Sequence, residues 1–220
     1  MKIAVIGGTG KEGSGIAVRW ASQGHDVTIG SRDAARAQQR AHEIRDEYQG
    51  KITGSLQGGA NTEIIPDADL VVLAVPYGAH AATLNELKPL IDGKKFLDIT
   101  VPLAPPKVRE VNVPAGNSAA LEAQAILGEN TPVAAAFHHV SSQHLLDLEH
   151  DIETDVLVVA DDVAFRKEIM ALVRQTSARP VNAGVLKNAV ALEALTSVLI
   201  HINGAYKAPG AGIRITGLPE

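Results

Sequence analysis

The sequence feature that most constrains the fold is a run of glycines directly after the first apolar segment. Residues 2–6, KIAVI, predict a short buried strand, and residues 8–13, GTGKEG, match the spacing G-x-G-x-x-G ahead of a helical pattern. In this spacing Gly8 allows a tight turn, Gly10 lets the backbone approach a pyrophosphate, and Gly13 lets helix and strand pack closely. The following helix N-terminus offers free N–H groups and partial positive charge to an anion.

The loop therefore predicts a βαβ unit that binds a dinucleotide. The alternative is a glycine-rich turn between a strand and a helix that binds nothing. The residues expected at the phosphates are Gly8, Thr9, Gly10, Lys11, Glu12 and Gly13.

Strand and helix patterns alternate along the rest of the chain. Strands are expected near 26–30, 51–59, 69–75, 94–102, 132–140 and 154–162, and helices near 33–49, 78–90, 118–127, 163–177 and 184–204. Apolar strands that alternate with helices are typical of a parallel sheet covered on both faces. The sequence predicts an α/β fold of the Rossmann type, with a doubly wound, mostly parallel sheet. A length of 220 residues suits one domain with an elaboration, or one domain plus a small second one.

The second strand ends at Ser31 and Arg32, where chains of this kind usually carry Asp or Glu. A carboxylate there binds the ribose hydroxyls of NAD, whereas an arginine makes a charge-assisted contact with the 2′-phosphate of NADP. Arg36 lies one helical turn beyond Arg32, and Thr9 lies in the glycine loop, so both can face the same phosphate. The sequence predicts NADP over NAD. The alternatives are ordinary surface positions for the arginines and a helix N-cap role for Ser31.

The composition excludes several classes of protein. A net charge of −5 and an aromatic content of 3% argue against a nucleic-acid binder. With no cysteine, disulfides, thiolate catalysis and Cys-ligated metals are excluded. The first apolar run is too short for a signal peptide and no stretch is expected to span a membrane, so the simplest interpretation is a soluble cytoplasmic protein.

Histidines cluster near the middle of the chain, and we expect no metal there. His138, His139 and His144 do not follow the i, i+4 spacing of a helical zinc site. A hydrolase triad of His139, Ser141 and Asp147 is rejected, because the chain has no G-x-S-x-G nucleophile turn.

Several segments of the chain carry a resemblance to a known family. They are MKIAVIGGTGKEG, IGSRDAAR, AVP after the fourth strand, AAAFHHV, and, most specifically, LKNAVALEALTSVLIHIN and GIRITGLPE. Together they resemble the NADPH-dependent coenzyme F-420 reductases, also called F-420:NADP oxidoreductases, over essentially the whole chain. The resemblance implies an NADP-binding Rossmann domain (1–135), a small C-terminal α/β domain (136–220) for deazaflavin binding and dimerisation, and a homodimer. The implied activity is hydride transfer between NADP(H) and the 8-hydroxy-5-deazaflavin coenzyme F-420.

The resemblance also implies roles for individual residues. The family's 2′-phosphate set is matched by Thr9, Ser31, Arg32 and Arg36. The walls of the dinucleotide cleft are matched by Val75, Pro76, His80, Val101 and Pro102. The segment beside the nicotinamide and the deazaflavin is matched by Ala136, Phe137 and His138. Hydride transfer needs mainly two rings stacked at about 3–3.5 Å, so no acid–base side chain is obligatory, and His138 is the candidate for tuning a proton.

Other functions are compatible with the same scaffold. One is an NADPH-dependent reductase of a small keto or imino compound, and another is a non-catalytic NADP-sensing protein; a flavin or ferric reductase is a third. An apolar seam in the last helix suits a contact between helices, such as one across a dimer. The seam consists of Val185, Ala189, Leu192, Leu195, Leu199 and Ile202.

Overall fold

A computed structural model describes residues 1–218 and shows a sheet of eight strands in the spatial order 3-2-1-4-5-6-7-8. The strands are β1 (Lys2–Ile6), β2 (Asp26–Ser31), β3 (Ser55–Ala60), β4 (Leu70–Leu73), β5 (Lys95–Asp98), β6 (Val133–Ala135), β7 (Ile152–Ala160) and β8 (Ala178–Asn182). All neighbouring pairs are parallel except β6 and β7, which are antiparallel. The order 3-2-1-4-5-6 is that of the Rossmann fold, so the predicted fold class is confirmed.

Within residues 1–218 the chain forms eight α-helices. They are α1 (Lys11–Ser22), α2 (Ala34–Glu47), α3 (Asn61–Ile64), α4 (Tyr77–Ile91), α5 (Ala119–Leu127), α6 (Ser142–Leu146), α7 (Val163–Arg174) and α8 (Ala189–Tyr206), with a 3-10 turn at Leu186–Asn188. Side chains of β1 alternate between two apolar clusters, with Val5 in one and Ile6 in the other. Residues of α1, α2, α6 and α7 pack into the first cluster, and residues of α4, α5 and α8 into the second.

Three elements were not expected from the sequence, namely α3, α6 and β8. The two helices have four and five residues, too few for a helical period to appear. β8 contains Pro180, which a strand accepts at the edge of a sheet, and β8 is the edge strand here. The strand expected over 132–140 ends at Ala135, because Phe137 adopts a left-handed backbone with φ of 66°.

The sheet continues past the expected domain boundary at residue 135. Ala134 of β6 pairs with Ala160 of β7, so the second part of the chain adds its strands to the sheet of the first. The division into domains 1–135 and 136–220 stays a prediction. Residues 219 and 220, the end of the GIRITGLPE segment, lie outside the described residues.

Helix α8 is more apolar than the sequence analysis anticipated. Among the described residues, Leu186–Tyr206 is the one segment long and apolar enough to cross a membrane by length and composition, with a mean hydropathy of 1.3. This segment is not an unbroken apolar run, since it carries the carboxylate of Glu193 among its apolar residues. The expectation that no stretch spans a membrane stays a prediction. A single helix of this kind is weak evidence for a membrane protein, and α8 packs against the sheet through Leu192.

Arg19 of α1 is a buried cation whose hydrogen-bond partners are main-chain oxygens. Its guanidinium, in a side chain 4% exposed, donates to the carbonyls of Leu145 (3.1 Å), Thr176 (2.9 Å), His144 (2.7 Å), His150 (3.0 Å) and Asp147. Four of these five carbonyls belong to the segment 144–150, which contains the end of α6. A guanidinium has five N–H donors in a fixed plane, so a single side chain can hold this irregular backbone in place.

Glu193 attaches α8 to the start of α5. Its carboxylate is 2% exposed and accepts hydrogen bonds from the N–H groups of Ala119 (2.7 Å) and Ala120 (3.1 Å). Burial raises the pKa of Glu193 to about 8, although the two N–H donors act in the opposite direction. The nearby carboxylates of Asp98 and Glu122 raise this pKa further.

We expect Arg19→Met to destabilise the protein by roughly 3–5 kcal/mol, because it leaves several buried carbonyls without a donor. The control is Arg45→Met, which removes an exposed arginine with a single carbonyl contact, to Leu56 (2.7 Å). Its cost should stay below about 1 kcal/mol. Urea unfolding monitored by circular dichroism measures both. Equal losses in the two variants would contradict the role given to Arg19.

We expect Glu193 to make stability fall as the pH rises. The pKa of Glu193 in the folded protein, about 8, lies above its ordinary value of 4.5. The contribution of Glu193 to stability is therefore complete below pH 4.5 and is lost as the pH rises through 8. Between pH 6 and 9 the free energy of unfolding of the wild type should fall on the order of 1–3 kcal/mol more than that of Glu193→Gln, at about 1.4 kcal/mol per pH unit. Urea unfolding at the two pH values tests this, and parallel losses would refute it.

Candidate functional site

The glycine loop joins β1 to α1 and has the three local environments that a dinucleotide loop requires. A Cβ on Gly8 would lie 2.7 Å from Cβ of Ile29, and a Cβ on Gly13 would lie 2.8 Å from Cα of Gly8, so both positions are closed by packing. A Cβ on Gly10 would meet only the carbonyl oxygen of Gly7, at 3.5 Å. Gly10 therefore has an open side at the N-terminus of α1, where the first N–H groups of the helix lack intrahelical acceptors. This arrangement suits a pyrophosphate.

The carboxyl end of β2 presents two free cations. Within residues 1–218, the guanidinium groups of Arg32 and Arg36 have no carboxylate or hydrogen-bond partner, and both side chains are exposed. Ser31 is not the N-cap of α2: Asp33 is, since its carboxylate accepts from the N–H groups of Ala35 (2.9 Å) and Arg36 (3.4 Å). The hydroxyl of Ser31 accepts from the N–H of Asp33 (3.2 Å).

Arg40 links the glycine loop to α2, a role that the sequence analysis missed. Its Nε donates to the hydroxyl of Ser14 (3.3 Å), and that hydroxyl donates to the carbonyl of Gly8 (2.9 Å). Arg40 also pairs with Glu43 (3.2 Å). The position of Arg40, one helical turn beyond Arg36, was the available signal, since residues four apart lie on the same face of a helix.

A cleft of about 410 Å³ lies beside the glycine loop, between the carboxyl ends of the central strands and α8. Seven of the residues expected from the sequence line it: Gly10, Glu12, Val75, Pro76, Val101, Phe137 and His138. Two of these, Val75 and Val101, follow β4 and β5, which end at Leu73 and Asp98, shortly before the two Val-Pro sequences. The cleft therefore lies at the carboxyl edge of the sheet, where ligands bind in open α/β folds.

Other expected residues do not line this cleft. His80 is fully buried on α4, where its Nε2 donates to Oδ2 of Asp98 (2.7 Å). Pro102 is turned inward, and its carbonyl accepts from Asn112 (2.9 Å), while Ala136 is fully buried. The remaining ones lie along the glycine loop and the end of β2: Gly8, Thr9, Lys11, Gly13, Ser31, Arg32 and Arg36.

His138 is a buried histidine that lines the cleft, and both of its ring nitrogens are buried. It is 4% exposed, and within the described residues neither Nδ1 nor Nε2 has a hydrogen-bond partner. Burial lowers the pKa of His138 to about 4, so the ring is neutral at physiological pH and offers one donor and one acceptor. Its backbone is held by Thr196, whose hydroxyl donates to the carbonyl of His138 (2.7 Å). Phe137, beside it, packs edge-on against Trp20 at 6.0 Å between ring centroids.

Several residues that complete the cleft were not expected. Thr100 contributes a buried hydroxyl with no partner among residues 1–218, and its place directly after β5 was a signal for it. Thr196 and Asn203 come from α8, and Ala211 from the segment that follows. An apolar helix gives no sequence signal that its few polar side chains face a cleft.

The segment after α8 is fastened to β7 and closes one end of the cleft. The N–H of Ala211 donates to Oδ1 of Asn203 (2.7 Å). Further along, the buried carboxylate of Asp155 accepts from Arg179 (2.7 and 2.6 Å) and from the N–H of Ile215 (2.6 Å). The hydrogen bonds from Arg179 hold the pKa of Asp155 below its ordinary value.

The residues present fit a dinucleotide with a 2′-phosphate. The open side of Gly10 suits the pyrophosphate, and the free guanidinium groups of Arg32 and Arg36 suit a further anion. Thr100 and His138 line the cleft, and their buried polar atoms have no hydrogen-bond partner among residues 1–218, which suits a ligand with donors and acceptors. The rest of the lining is largely apolar, which suits flat rings.

Comparisons with known proteins bear on the family and the fold of this chain. A family model described as NADP oxidoreductase, coenzyme F420-dependent, matches residues 2–102. A crystal structure from Arthrobacter sp. FB24, described as a candidate F420-dependent NADP-reductase, has a TM-score of 0.79 and 24% identity, and the match covers 98% of this chain and 99% of that one. At that identity the structure supports the fold alone.

Sequence relatives decide the family. The F420-dependent NADP reductase of Methanothermobacter thermautotrophicus is 37% identical over 225 residues, which cover 100% of this chain and 97% of that protein. The F420-dependent NADP reductase of Methanocaldococcus jannaschii is 34% identical, with 99% of each chain covered. Since relatives of this identity align over their full length, the chain belongs to the family of F420-dependent NADP reductases.

Proposed function

We propose that this chain transfers a hydride between NADP(H) and the deazaflavin coenzyme F-420. The observation that carries the proposal is a glycine loop with an open side at Gly10, a largely apolar cleft beside it, and two arginines after β2 without partners among residues 1–218. The printed activity of relatives that are 34–37% identical over full length supports the same reaction.

The adenosine end of the cleft is assigned to the 2′-phosphate of NADP. Arg32 and Arg36 are two exposed cations without partners in the described residues, and Ser31 and Thr9 add hydroxyl donors beside them. Charge-assisted hydrogen bonds to a phosphate are roughly twice as strong as neutral ones. This end therefore selects NADP(H) over NAD(H).

The other end of the cleft positions the two reacting rings. When bound, the two coenzymes supply the hydride donor and the hydride acceptor, and solvent supplies the proton that completes reduction of the deazaflavin. The protein's part is to exclude water and hold the rings in contact, which Val75, Val101 and Phe137 do by their apolar surfaces. His138 is neutral, so it orients a ring by hydrogen bonding and does not donate from an imidazolium.

The working form is assigned as a soluble, cytoplasmic homodimer joined through α8. Two apolar side chains on the outside of this helix are exposed, Val198 at 44% and Tyr206 at 80%. Burying them against a second copy removes them from water. Sedimentation of the purified protein gives the molar mass, and a monomer at micromolar concentration would contradict the assignment.

The reaction is tested by mixing the protein with NADPH and oxidised coenzyme F-420 and following the visible absorbance of the deazaflavin. NADH and FMN serve as parallel controls. Loss of absorbance with NADPH, and much less with NADH, supports the proposal. The rate should also show no titration of His138 between pH 6 and 8, because its pKa of about 4 lies below that window.

Other outcomes point to other functions. If NADPH binds and the deazaflavin is not reduced, a screen of small keto and imino compounds distinguishes a reductase of those substrates from a non-catalytic NADP sensor. Reduction of FMN in place of coenzyme F-420 would indicate a flavin reductase. Equal rates with NADH and NADPH would leave the reaction class intact and contradict the assignment of the arginines.

We expect Arg32→Ala to raise KM for NADPH by roughly tenfold to a hundredfold, which corresponds to the loss of one charge-assisted contact. KM for NADH should not change, and kcat at saturation should change by less than about twofold, since the contact lies far from the reacting atoms. The control is Arg174→Ala, which removes an exposed arginine of α7. Steady-state kinetics with both nucleotides measures the difference. An equal rise in KM for NADH would mean that Arg32 does not bind the 2′-phosphate.

A further inference from the structure

One buried carboxylate connects the two Val-Pro turns that border the cleft. Asp98 is the last residue of β5 and is fully buried. Its Oδ1 accepts from the N–H of Thr100 (2.8 Å), and its Oδ2 accepts from Nε2 of His80 (2.7 Å). The two oxygens of one side chain thus hold two segments that are far apart in the sequence.

The first of these segments is the turn after β4. His80 lies in the first turn of α4, whose N-cap is Pro76, and the carbonyl of Pro76 accepts from the N–H of Ala79 (2.8 Å). The ring of His80 stacks on Tyr77 at 6.1 Å between centroids, and the hydroxyl of Tyr77 donates to Glu122 (2.9 Å). The hydrogen bond that holds His80 therefore also fixes Val75 and Pro76 where they line the cleft.

The second segment is the turn after β5. Residues 99–101 line the cleft, and the N–H of Ile99 donates to the carbonyl of Leu73 at the end of β4 (3.1 Å). The hydrogen bond from the N–H of Thr100 to Asp98 sets the direction in which the backbone leaves the strand. It thereby sets where Thr100 and Val101 line the cleft.

Stability alone does not account for this pair. Asp98 is a buried carboxylate that no arginine or lysine pairs with among residues 1–218, and Nδ1 of His80 is buried without a partner there. Buried ionic or half-satisfied polar groups are weak contributors to stability, and apolar residues of similar volume serve as well or better. The position of the pair, directly behind the cleft, offers another reason for it.

We infer that Asp98 is a positioning residue for the nicotinamide: by holding His80 and the Thr100 amide together, it fixes the separation of the two Val-Pro turns. The inference rests on the proposed function for the identity of the ring. Asp98 itself does not line the cleft and acts through Thr100, Val101 and Pro76. A change at Asp98 should therefore disturb the nicotinamide end and leave the adenosine end as it is.

The test compares Asp98→Ala, which removes both hydrogen bonds, with Asp98→Asn, whose amide can accept from Thr100 and donate to His80. The control is Asp92→Ala, which removes an exposed carboxylate after α4. Calorimetry measures the affinity of each protein for NADPH and for adenosine 2′,5′-bisphosphate, a fragment without the nicotinamide. Emission of the bound nicotinamide and single-turnover reduction of coenzyme F-420 are measured alongside.

For Asp98→Ala we expect unchanged affinity for the fragment, nicotinamide emission close to that of free NADPH, and hydride transfer at saturation slower by at least about tenfold. Asp98→Asn and Asp92→Ala should resemble the wild type. The inference is overturned if Asp98→Ala matches the wild type, if it loses fragment and NADPH binding in equal proportion, or if Asp98→Asn fails as badly as Asp98→Ala. Should the wild type not reduce coenzyme F-420, the proposed function fails, and the binding and emission data still decide the role of Asp98.

Discussion

The site depends on one buried cation. Arg19 donates hydrogen bonds to main-chain carbonyls of the segment 144–150 and of Thr176. These hydrogen bonds fix an irregular stretch of backbone against α1. The residues just before that stretch, 137–142, form part of the cleft. The helix that begins at the glycine loop thus also holds this part of the cleft lining. The glycine loop and the cleft are consequently fixed to the same helix.

Much of the fold and of the phosphate end could be predicted because both follow from local rules. The strand, the glycine spacing and the helix after it stand within the first 22 residues, and the glycines occupy the environments that their order implies. The apolar segments of β4 and β5 predicted the sheet, and the two Val-Pro sequences predicted that Val75 and Val101 lie at its carboxyl edge. Arg32 follows from the same logic, since it comes directly after β2.

The rest depends on contacts between distant segments, which no local pattern records. Nothing in the sequence of α4 indicates that His80 is buried. Its burial is explained by the hydrogen bond to Asp98, 18 residues later. α6 has five residues, and its place is set by Arg19, more than 120 residues earlier. Thr196 faces the cleft from a helix whose composition signals only burial. The phosphate end is therefore local in sequence, and the ring end is assembled by tertiary structure.

The segment after α8 has a consequence for how the protein becomes competent during synthesis. Gly10 and Ala211 border the same cleft although they are some 200 residues apart. The glycine loop is complete once β1, α1, β2 and β4 have come together, since Gly8 packs on Ile29 and Gly13 lies against Ala74. The lining of the cleft also needs residues of α8 and Ala211, which are made much later. During synthesis the glycine loop therefore precedes the complete cleft.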